Sequence, residues 1–251
     1  MTPSHEHRSD DLHEPTKIPL NTKPILIYYS PWWFARFADE PQPRLLWGLG
    51  PDREVTRGGH LTSGILGTTN LMHVLDSIGR SDLAWRLATC TTYPSWGQMV
   101  RRRTTLSEAW GCTWGTNNHI MYGSVDTWFY GTLGGIRADE SKDDPDRLVL
   151  TPYFDAGLSH CRAVRDLACG RVRSEWRKHP GRTEWEIDIP ANAAARVIVP
   201  VADAARISEG GRAIREGIPG IRDVNEEAGR VSFAVGSGRY RLAIADGTGS
   251  R

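Results

Sequence analysis

The chain has 251 residues, 31 Lys plus Arg against 30 Asp plus Glu, and a formal net charge of +1. This length is enough for one large domain or two ordinary ones, each with a core of its own. The balanced charge produces no basic field, so we expect neither a nucleic acid nor a membrane as a partner. The polar start has no hydrophobic signal region, and no apolar run approaches the ~20 residues that cross a bilayer. We therefore expect a cytoplasmic location.

The reactive residues predict no bound metal or cofactor. Cys90, Cys112, Cys161 and Cys169 form no CxxC pair and no zinc spacing, which is typical of reduced thiols. His60 follows two glycines and has no partner at metal-ligand spacing. Walker A, G-x-G-x-x-G and G-x-S-x-G motifs are absent, which weighs against NTPase, dinucleotide-binding and esterase functions.

The N-terminal part, residues 1–57, has no clear hydrophobic period. Its first 23 residues are polar and charged, which predicts a disordered tail. The apolar run ILIYY at 25–29 is typical of a short strand. We assign this segment to no architecture.

Residues 58–137 have a helical texture. Apolar residues recur at helical spacing up to Gly79, where a first helix should stop, and Ser81 is placed to cap a second helix. Pro94 and Gly97 predict a break in regular helix. Asn117 or Asn118 is placed to cap a third helix, whose predicted apolar stripe is Ile120, Val125, Trp128, Phe129 and Leu133.

After a polar, acidic link at 138–147, residues 148–246 predict a β domain. Short alternating or apolar runs are bounded by Gly and Pro, and at least six strands can be counted. The final sequence GRVSFAVGSGRYRLAIA indicates a hairpin with a Gly-Ser-Gly turn, and residues 203–222 indicate a loop or short-helix excursion. The pattern favours an antiparallel β-sandwich.

The segment 92–123 is a long connection rich in Trp and Gly. It contains the carboxylate of Glu108, the imidazole of His119 and three indoles, those of Trp96, Trp110 and Trp114. Long ordered loops often carry binding and catalytic groups. Tryptophan faces stack on sugar rings, so a carbohydrate site is one interpretation. The other is that these tryptophans fill the helical core and that the Glu and His are ordinary structural residues.

Four ordered motifs resemble the last helical hairpins of the bacterial α-L-rhamnosidases. They are GGHLTSGILGTTNL (58–71), TYPSWG (92–97), TTLSEAWG (104–111) and NHIMYGSVDTWFYGTLGGI (118–136). Residues 148–245 resemble the β-sandwich that follows the barrel in that family. The resemblance implies an α+β multidomain chain, with a partial (α/α)6 six-hairpin barrel followed by an antiparallel β-sandwich. It also implies hydrolysis of terminal α-L-rhamnosides with inversion.

The resemblance implies roles for individual residues. The family's general-base glutamate lies in a TTLWERWDG segment, which matches Glu108 here, and its sugar-contacting histidine lies in N-H-x-x-x-G-S-V, which matches His119. The resemblance also implies that Trp96 and Trp110 bind the substrate or support the residues that do. Ser107 replaces the family's Trp and Ala109 its Arg, and the connection from Glu108 to His119 is shorter.

The resemblance also implies that the catalytic pair is incomplete. An inverting glycosidase needs a general acid beside its general base, roughly 6.5–9.5 Å apart. The family's acid lies in a D-E-R-x-G-W-T-G-D type motif, which residues 1–57 do not contain. The stretch 58–136 has room for three or four of twelve barrel helices.

We therefore expect little or no hydrolase activity from this chain alone. Its expected partners are a rhamnose-containing glycoside and a separately encoded N-terminal half of the enzyme. Two alternatives stay open: a non-catalytic carbohydrate-binding or interaction protein derived from the same family, and a remnant that never folds stably.

Overall fold

The computed structural model describes residues 60–61, 63–138, 148–155, 157–214 and 218–247. The predicted tail and the predicted strand at 25–29 lie outside these residues. The described part divides into a helical unit, residues 60–135, and a β-sandwich that begins at Ile136.

The helical unit contains three regular α-helices and a composite helical segment. Their bounds are α1 (Ile65–Ser77), α2 (Ser81–Thr89), α3 (Trp96–Arg102), a 3₁₀ turn (Ile120–Ser124), α4 (Val125–Trp128) and a π-helical turn (Phe129–Leu133). Apolar side chains at helical spacing face one core, among them Met72, Leu75, Leu83, Leu87 and Met99. Burial of this apolar surface stabilises the unit.

The turn between α1 and α2 confirms one sequence prediction and corrects another. Gly79 adopts a left-handed φ of 75°, which a residue without Cβ tolerates best at a helix end. Ser81, however, does not cap α2: Arg80 holds the N-cap position without a side-chain hydrogen bond. The Ser81 hydroxyl instead donates to Asp76 Oδ1 at 2.6 Å. A tertiary partner has replaced the local one.

The predicted break at 91–100 is wrong in its second half. The chain resumes a helix at Trp96, because Ser95 Oγ accepts a hydrogen bond from the Gln98 amide and caps α3. Gly97 is helical. A Cβ at this position would lie 2.6 Å from the Cys90 carbonyl oxygen. Glycine there serves a close backbone approach rather than a helix stop.

The third predicted helix exists but begins differently. His119, rather than Asn117 or Asn118, caps the 3₁₀ turn, with Nδ1 accepting from the Met121 amide at 3.3 Å. Ile120 does not join the apolar stripe, since 86% of its surface is exposed. Phe129 is also exposed, whereas Val125, Trp128 and Leu133 are buried as predicted.

The sandwich consists of two sheets. One has the order β1-β2-β6-β10-β9 and the other β3-β4-β5-β11-β7-β8, and every pair is antiparallel except β2 with β6. The strands are β1 (Ile136–Ala138), β2 (Leu148–Leu150), β3 (His160–Leu167), β4 (Gly170–His179), β5 (Arg182–Ile189), β6 (Ala195–Val199), β7 (Ile207–Glu209), β8 (Arg212–Ala213), β9 (Ile221–Glu227), β10 (Arg230–Val235) and β11 (Gly238–Ala245).

The predicted hairpin at the end of the chain is wrong. β10 pairs with β6 and β9, whereas β11 pairs with β5 and β7 in the other sheet. Both strands alternate buried and exposed residues, so each can supply an inner face, and the Gly-Ser-Gly sequence carries the chain across the sandwich. Residues 203–222 are likewise more than an excursion, since they contribute β7 and β8.

The two units meet at the start of the sandwich. β1 follows the π-helical turn directly, and the buried Trp176 indole donates to the Leu133 carbonyl at 2.7 Å. Arg165 Nη1 donates to the Ile136 carbonyl at 3.3 Å. The first bond holds the last helical turn against β4, and the second joins β1, which follows that turn, to β3. The boundaries predicted for the domains, 58–137 and 148–246, stay predictions.

Candidate functional site

Glu108 and His119 lie on the two arms of one loop, residues 103–119, which we call the site loop. Backbone hydrogen bonds close it: the Glu108 amide donates to the Thr116 carbonyl at 2.9 Å, and the His119 amide to the Leu106 carbonyl at 2.8 Å. The Thr105 hydroxyl also donates to the Asn117 carbonyl. The fold therefore places both predicted residues at the base of the same closed loop.

The Glu108 carboxylate is fixed by one of its oxygens. Oε2 accepts a hydrogen bond from the Thr116 amide at 3.0 Å. Gly115 adopts a φ of +77°, and a Cβ there would lie 2.6 Å from this oxygen. Among the described residues, Oε1 has no hydrogen-bond donor. One oxygen is thus anchored while the other can accept a proton.

The His119 ring is oriented by the turn that it caps. A backbone amide can only donate, so Nδ1, which receives the Met121 N–H, must carry no proton. The neutral ring therefore holds its proton on Nε2. This half-buried imidazole can offer an N–H donor to an oxygen ligand such as a sugar hydroxyl.

Trp96 and Trp110 are buried in the helical core beneath the site loop. Their ring centroids are 5.6 Å apart in an edge-to-face arrangement, and Trp110 lies 3.9 Å from the Tyr122 ring. The Trp96 indole donates to the Tyr122 carbonyl and the Trp110 indole to the Ser63 carbonyl, each at 2.9 Å. Such buried side chains support the loop above them. A direct contact of either tryptophan with substrate stays a prediction.

The exposed indole of the site loop is Trp114, with 66% of its surface accessible. It directly precedes Gly115. Exposed large apolar side chains cost solvation free energy and commonly mark binding surfaces. Of the three tryptophans singled out in the sequence, Trp114 is the one with an exposed side chain.

Tyr122 and Ser107 are both buried in the core below the loop. Burial, with a contribution from Tyr93, raises the pKa of Tyr122 far above its usual range, so its hydroxyl stays protonated. Ser107 is also buried; its hydroxyl donates to Asn117 Oδ1 at 3.3 Å and its amide to Met99 Sδ at 3.2 Å. The Ser107 hydroxyl thus pins the second arm of the loop.

Sequence reasoning missed Gly115 and Thr116, the residues that hold the Glu108 carboxylate. A Gly after an exposed Trp is a turn signal, but the hydrogen bond crosses the loop and depends on its closure. Another missed residue is Asp76, which accepts bonds from Ser81, Trp128, Thr132 and Arg137 and joins the helices to β1.

The described residues contain no cluster of three or more His, Cys, Asp or Glu that could hold a metal ion. No helix within the same residues is long and apolar enough to cross a membrane. An open groove of about 580 Å³ lies on the sandwich between β6, β9 and β10, lined by Arg196, Arg222, Asp223, Asn225 and Ser232 among others. None of the predicted site residues lines it.

A group of packed helices that carries a carboxylate loop, followed by a two-sheet sandwich, fits the last part of a six-hairpin glycosidase domain and the sandwich that follows it. Residues 52–133 match the bacterial α-L-rhamnosidase six-hairpin glycosidase domain, and residues 135–213 match the bacterial α-L-rhamnosidase C-terminal domain. The chain belongs to the bacterial α-L-rhamnosidase family, of which it represents a C-terminal portion.

Solved structures are similar to this chain over most of its length. An α-L-rhamnosidase from Dictyoglumus thermophilum superposes with a TM-score of 0.71 at 30% identity, covering 83% of this chain and 24% of that one. The Streptomyces avermitilis α-L-rhamnosidase, solved with L-rhamnose, gives a TM-score of 0.67 at 28% identity, with 77% and 19% covered.

The curated relatives are much longer than the matched region. An α-L-rhamnosidase of Streptomyces avermitilis is 29% identical over 196 residues, which are 74% of this chain and 18% of the relative. One from Formosa agariphila is 23% identical over 216 residues, 83% of this chain and 22% of the relative. The chain therefore spans about a fifth of the length of these relatives.

Proposed function

We propose that this chain supplies the water-activating half of an inverting α-L-rhamnosidase site. Glu108 is the general base, and His119 contacts a hydroxyl of the sugar. The observation that carries the proposal is the state of the Glu108 carboxylate, in which Oε2 is anchored by the Thr116 amide and Oε1 has no donor among the described residues.

The geometry suits general-base catalysis. A base acts best when its orientation is set before the substrate binds, because no free energy is then spent on ordering it. The site loop does this for Glu108 through its backbone. Oε1 would take a proton from water as that water attacks the anomeric carbon. His119 Nε2–H on the opposite arm would hold a sugar hydroxyl.

The other half of the chemistry must come from outside this chain. Protonation of the leaving oxygen requires a second carboxyl roughly 6.5–9.5 Å from the base. No D-E-R-x-G-W-T-G-D type motif is present in the sequence. The exposed apolar side chains of the helical unit, Tyr93, Val100, Trp114, Ile120, Phe129 and Tyr130, suit contact with further barrel helices.

The test is a complementation assay with p-nitrophenyl α-L-rhamnoside. We expect the purified chain alone to release little or no p-nitrophenol. Addition of the N-terminal remainder of the Streptomyces avermitilis relative, ending before the matched region, should restore release. Strong hydrolysis by the chain alone would overturn the proposed division of the catalytic pair.

Two variants then test the base. Glu108→Gln should lower the restored rate roughly 10²–10⁴-fold, the usual contribution of a general base. Asp126→Asn is the matched control, because Asp126 is an exposed carboxylate of the same helical unit. An unchanged rate for Glu108→Gln, with Asp126→Asn also unchanged, would remove Glu108 from the catalytic role.

A second function, non-catalytic binding of a carbohydrate, is favoured by the exposure of Trp114 within the site loop. It predicts that L-rhamnose changes the tryptophan fluorescence of the chain, that Trp114→Ala abolishes the change and that Glu108→Gln preserves it. Binding without restored hydrolysis would favour this function over the split enzyme. The cytoplasmic location stays a prediction under either function.

A further inference from the structure

A thiol, an imidazole and a hydroxyl meet beside the C-terminal end of α2, outside the site loop. Cys90 Sγ lies 3.3 Å from His60 Nδ1, and His60 Nε2 lies 3.3 Å from Thr92 Oγ1. In the sequence, His60 precedes Cys90 by 30 positions. The fold therefore supplies the partner that spacing alone did not indicate for this histidine.

The hydrogen bonds are consistent with one ring tautomer. If Nε2–H donates to Thr92 Oγ1, then Nδ1 carries no proton and accepts from the Cys90 S–H. Cys90 Sγ also lies 3.7 Å from both Thr92 O and Thr92 Oγ1, which are longer contacts. A thiol, a base in contact with it and a third group that orients the base form the usual arrangement of an activated nucleophile.

The other three cysteines lie in different surroundings. Cys112 is buried, and its thiol donates to the Trp110 carbonyl. Burial raises the pKa of the Cys161 thiol, which keeps it protonated and unreactive. In the described part of the chain, neither these two nor the half-buried Cys169 makes a hydrogen bond to a histidine ring.

We propose that Cys90 is a thiol-exchange site that reacts with low-molecular-weight disulfides, with His60 as its base. His60 Nδ1 takes the thiol proton, and the Cys90 sulfur attacks one sulfur of the disulfide. A new S–S bond forms as the S–S bond of the reagent breaks, and the departing thiolate takes the proton from the imidazolium. The products are a mixed disulfide on Cys90 and one free low-molecular-weight thiol.

The test follows labelling of the folded chain by 5,5′-dithiobis(2-nitrobenzoate), with peptide mass spectrometry to assign each modified cysteine. We expect Cys90 to be modified first. His60→Ala should slow the reaction of Cys90 roughly tenfold, less than a buried general base contributes, because both groups are partly exposed to water.

Three controls separate the chemistry from folding. Thr92→Ser keeps the hydroxyl and should keep the rate, whereas Thr92→Val should lower it. His160→Ala, which removes an exposed histidine next to Cys161, should leave the Cys90 rate unchanged. In denaturant, wild type and His60→Ala should react at the same rate.

Two results would overturn the proposal. One is a Cys90 that reacts no faster than Cys169 in the folded wild type. The other is a Cys90 rate that does not change in His60→Ala while circular dichroism shows both proteins folded. Neither depends on glycosidase activity, so the proposed function can fail or hold independently.

Discussion

The Asp76 carboxylate at the end of α1 accepts a hydrogen bond from the Arg137 guanidinium of β1 at 2.9 Å, across 61 positions of sequence. The Asp76 side chain is only 7% exposed. Its oxygens also accept bonds from the Trp128 indole and from the Thr132 and Ser81 hydroxyls. One carboxylate thus connects α1, α2, the composite helical segment and the sandwich.

Removal of this carboxylate should be costly. Asp76→Ala leaves buried donors and one end of an ion pair without a partner, which commonly costs about 3–5 kcal/mol. We expect the lower end, about 3 kcal/mol, because the Arg137 side chain is 40% exposed. Urea unfolding followed by circular dichroism measures the change.

The matched control is Asp82→Ala. Asp82 pairs with Arg80 at 2.9 Å, but the Arg80 side chain is 32% exposed and the Asp82 side chain 52% exposed to solvent. A pair of this kind contributes less than about 1 kcal/mol. Equal losses in the two variants would contradict the assigned importance of the Asp76 network.

Substitution of two buried tryptophans of the sandwich tests whether the sandwich's own stability is distinct from its attachment to the helical unit. The Trp176 indole donates to Leu133 of the helical unit, whereas the Trp185 indole donates to Ser174 within the sandwich. Each Trp→Phe change should cost about 2–3 kcal/mol through a lost hydrogen bond and a small cavity.

Hydrogen exchange distinguishes the two changes. Trp176→Phe should speed amide exchange in residues 125–133, and Trp185→Phe should not. Equal exchange of that segment in both variants would show that the indole of Trp176 does not hold the helical unit.

Gly115 should be irreplaceable for the position of Glu108. Gly115→Ala forces a side chain into a left-handed backbone, at about 1–2 kcal/mol, and places Cβ 2.6 Å from the Glu108 carboxylate oxygen. The carboxylate must then leave the Thr116 amide. The amide signal of Thr116 in a ¹H–¹⁵N spectrum reports this change.

Gly111→Ala is the control within the same loop. A Cβ at Gly111 would meet only ordinary contacts, the nearest at 3.4 Å from the Thr113 hydroxyl. We expect the Thr116 signal to stay in place in this variant. Retention of the signal in Gly115→Ala would contradict the anchoring of Glu108 described above.

An ion pair on the outer face of the second sheet should make the free energy of unfolding depend on pH in the acid range. Arg173 donates to Glu175 at 2.6 Å and lowers the pKa of this carboxyl below its usual range, against a smaller opposing effect of burial. A carboxyl whose pKa is lower in the folded chain stabilises the fold above its unfolded pKa, near 4.5. The stabilisation is lost as the pH falls through the folded pKa.

We therefore expect Glu175→Gln to lower stability at pH 7, by no more than about 1 kcal/mol for a partly exposed pair. At a pH below the folded pKa the difference from wild type should vanish. Urea midpoints measured at a series of pH values from 7 downward follow this change. When Arg173→Gln is also present, the stability difference that Glu175→Gln causes should depend less on pH. An unchanged pH dependence would exclude Arg173 as the cause.

Local patterns predicted much of the fold. The helix end at Gly79 and the strands from β2 to β6 follow from periodicity and turn residues. The sequence also placed Glu108 and His119 in one connection, and residues only 11 positions apart in a closed loop stay close. These are short-range relationships, and a short window of sequence contains them.

Only the tertiary structure decided where each polar group finds its partner. The Ser81 hydroxyl bonds to Asp76 instead of a helix end, and the strands beside Gly236 and Gly238 enter different sheets. Asp76 meets Arg137, and the Thr116 amide holds Glu108, because the chain folds back on itself. The sequence by itself determined most of the elements and the family's motifs. Once the chain has folded, a partner on another element can lie as close as one on the same element, so packing chose between them.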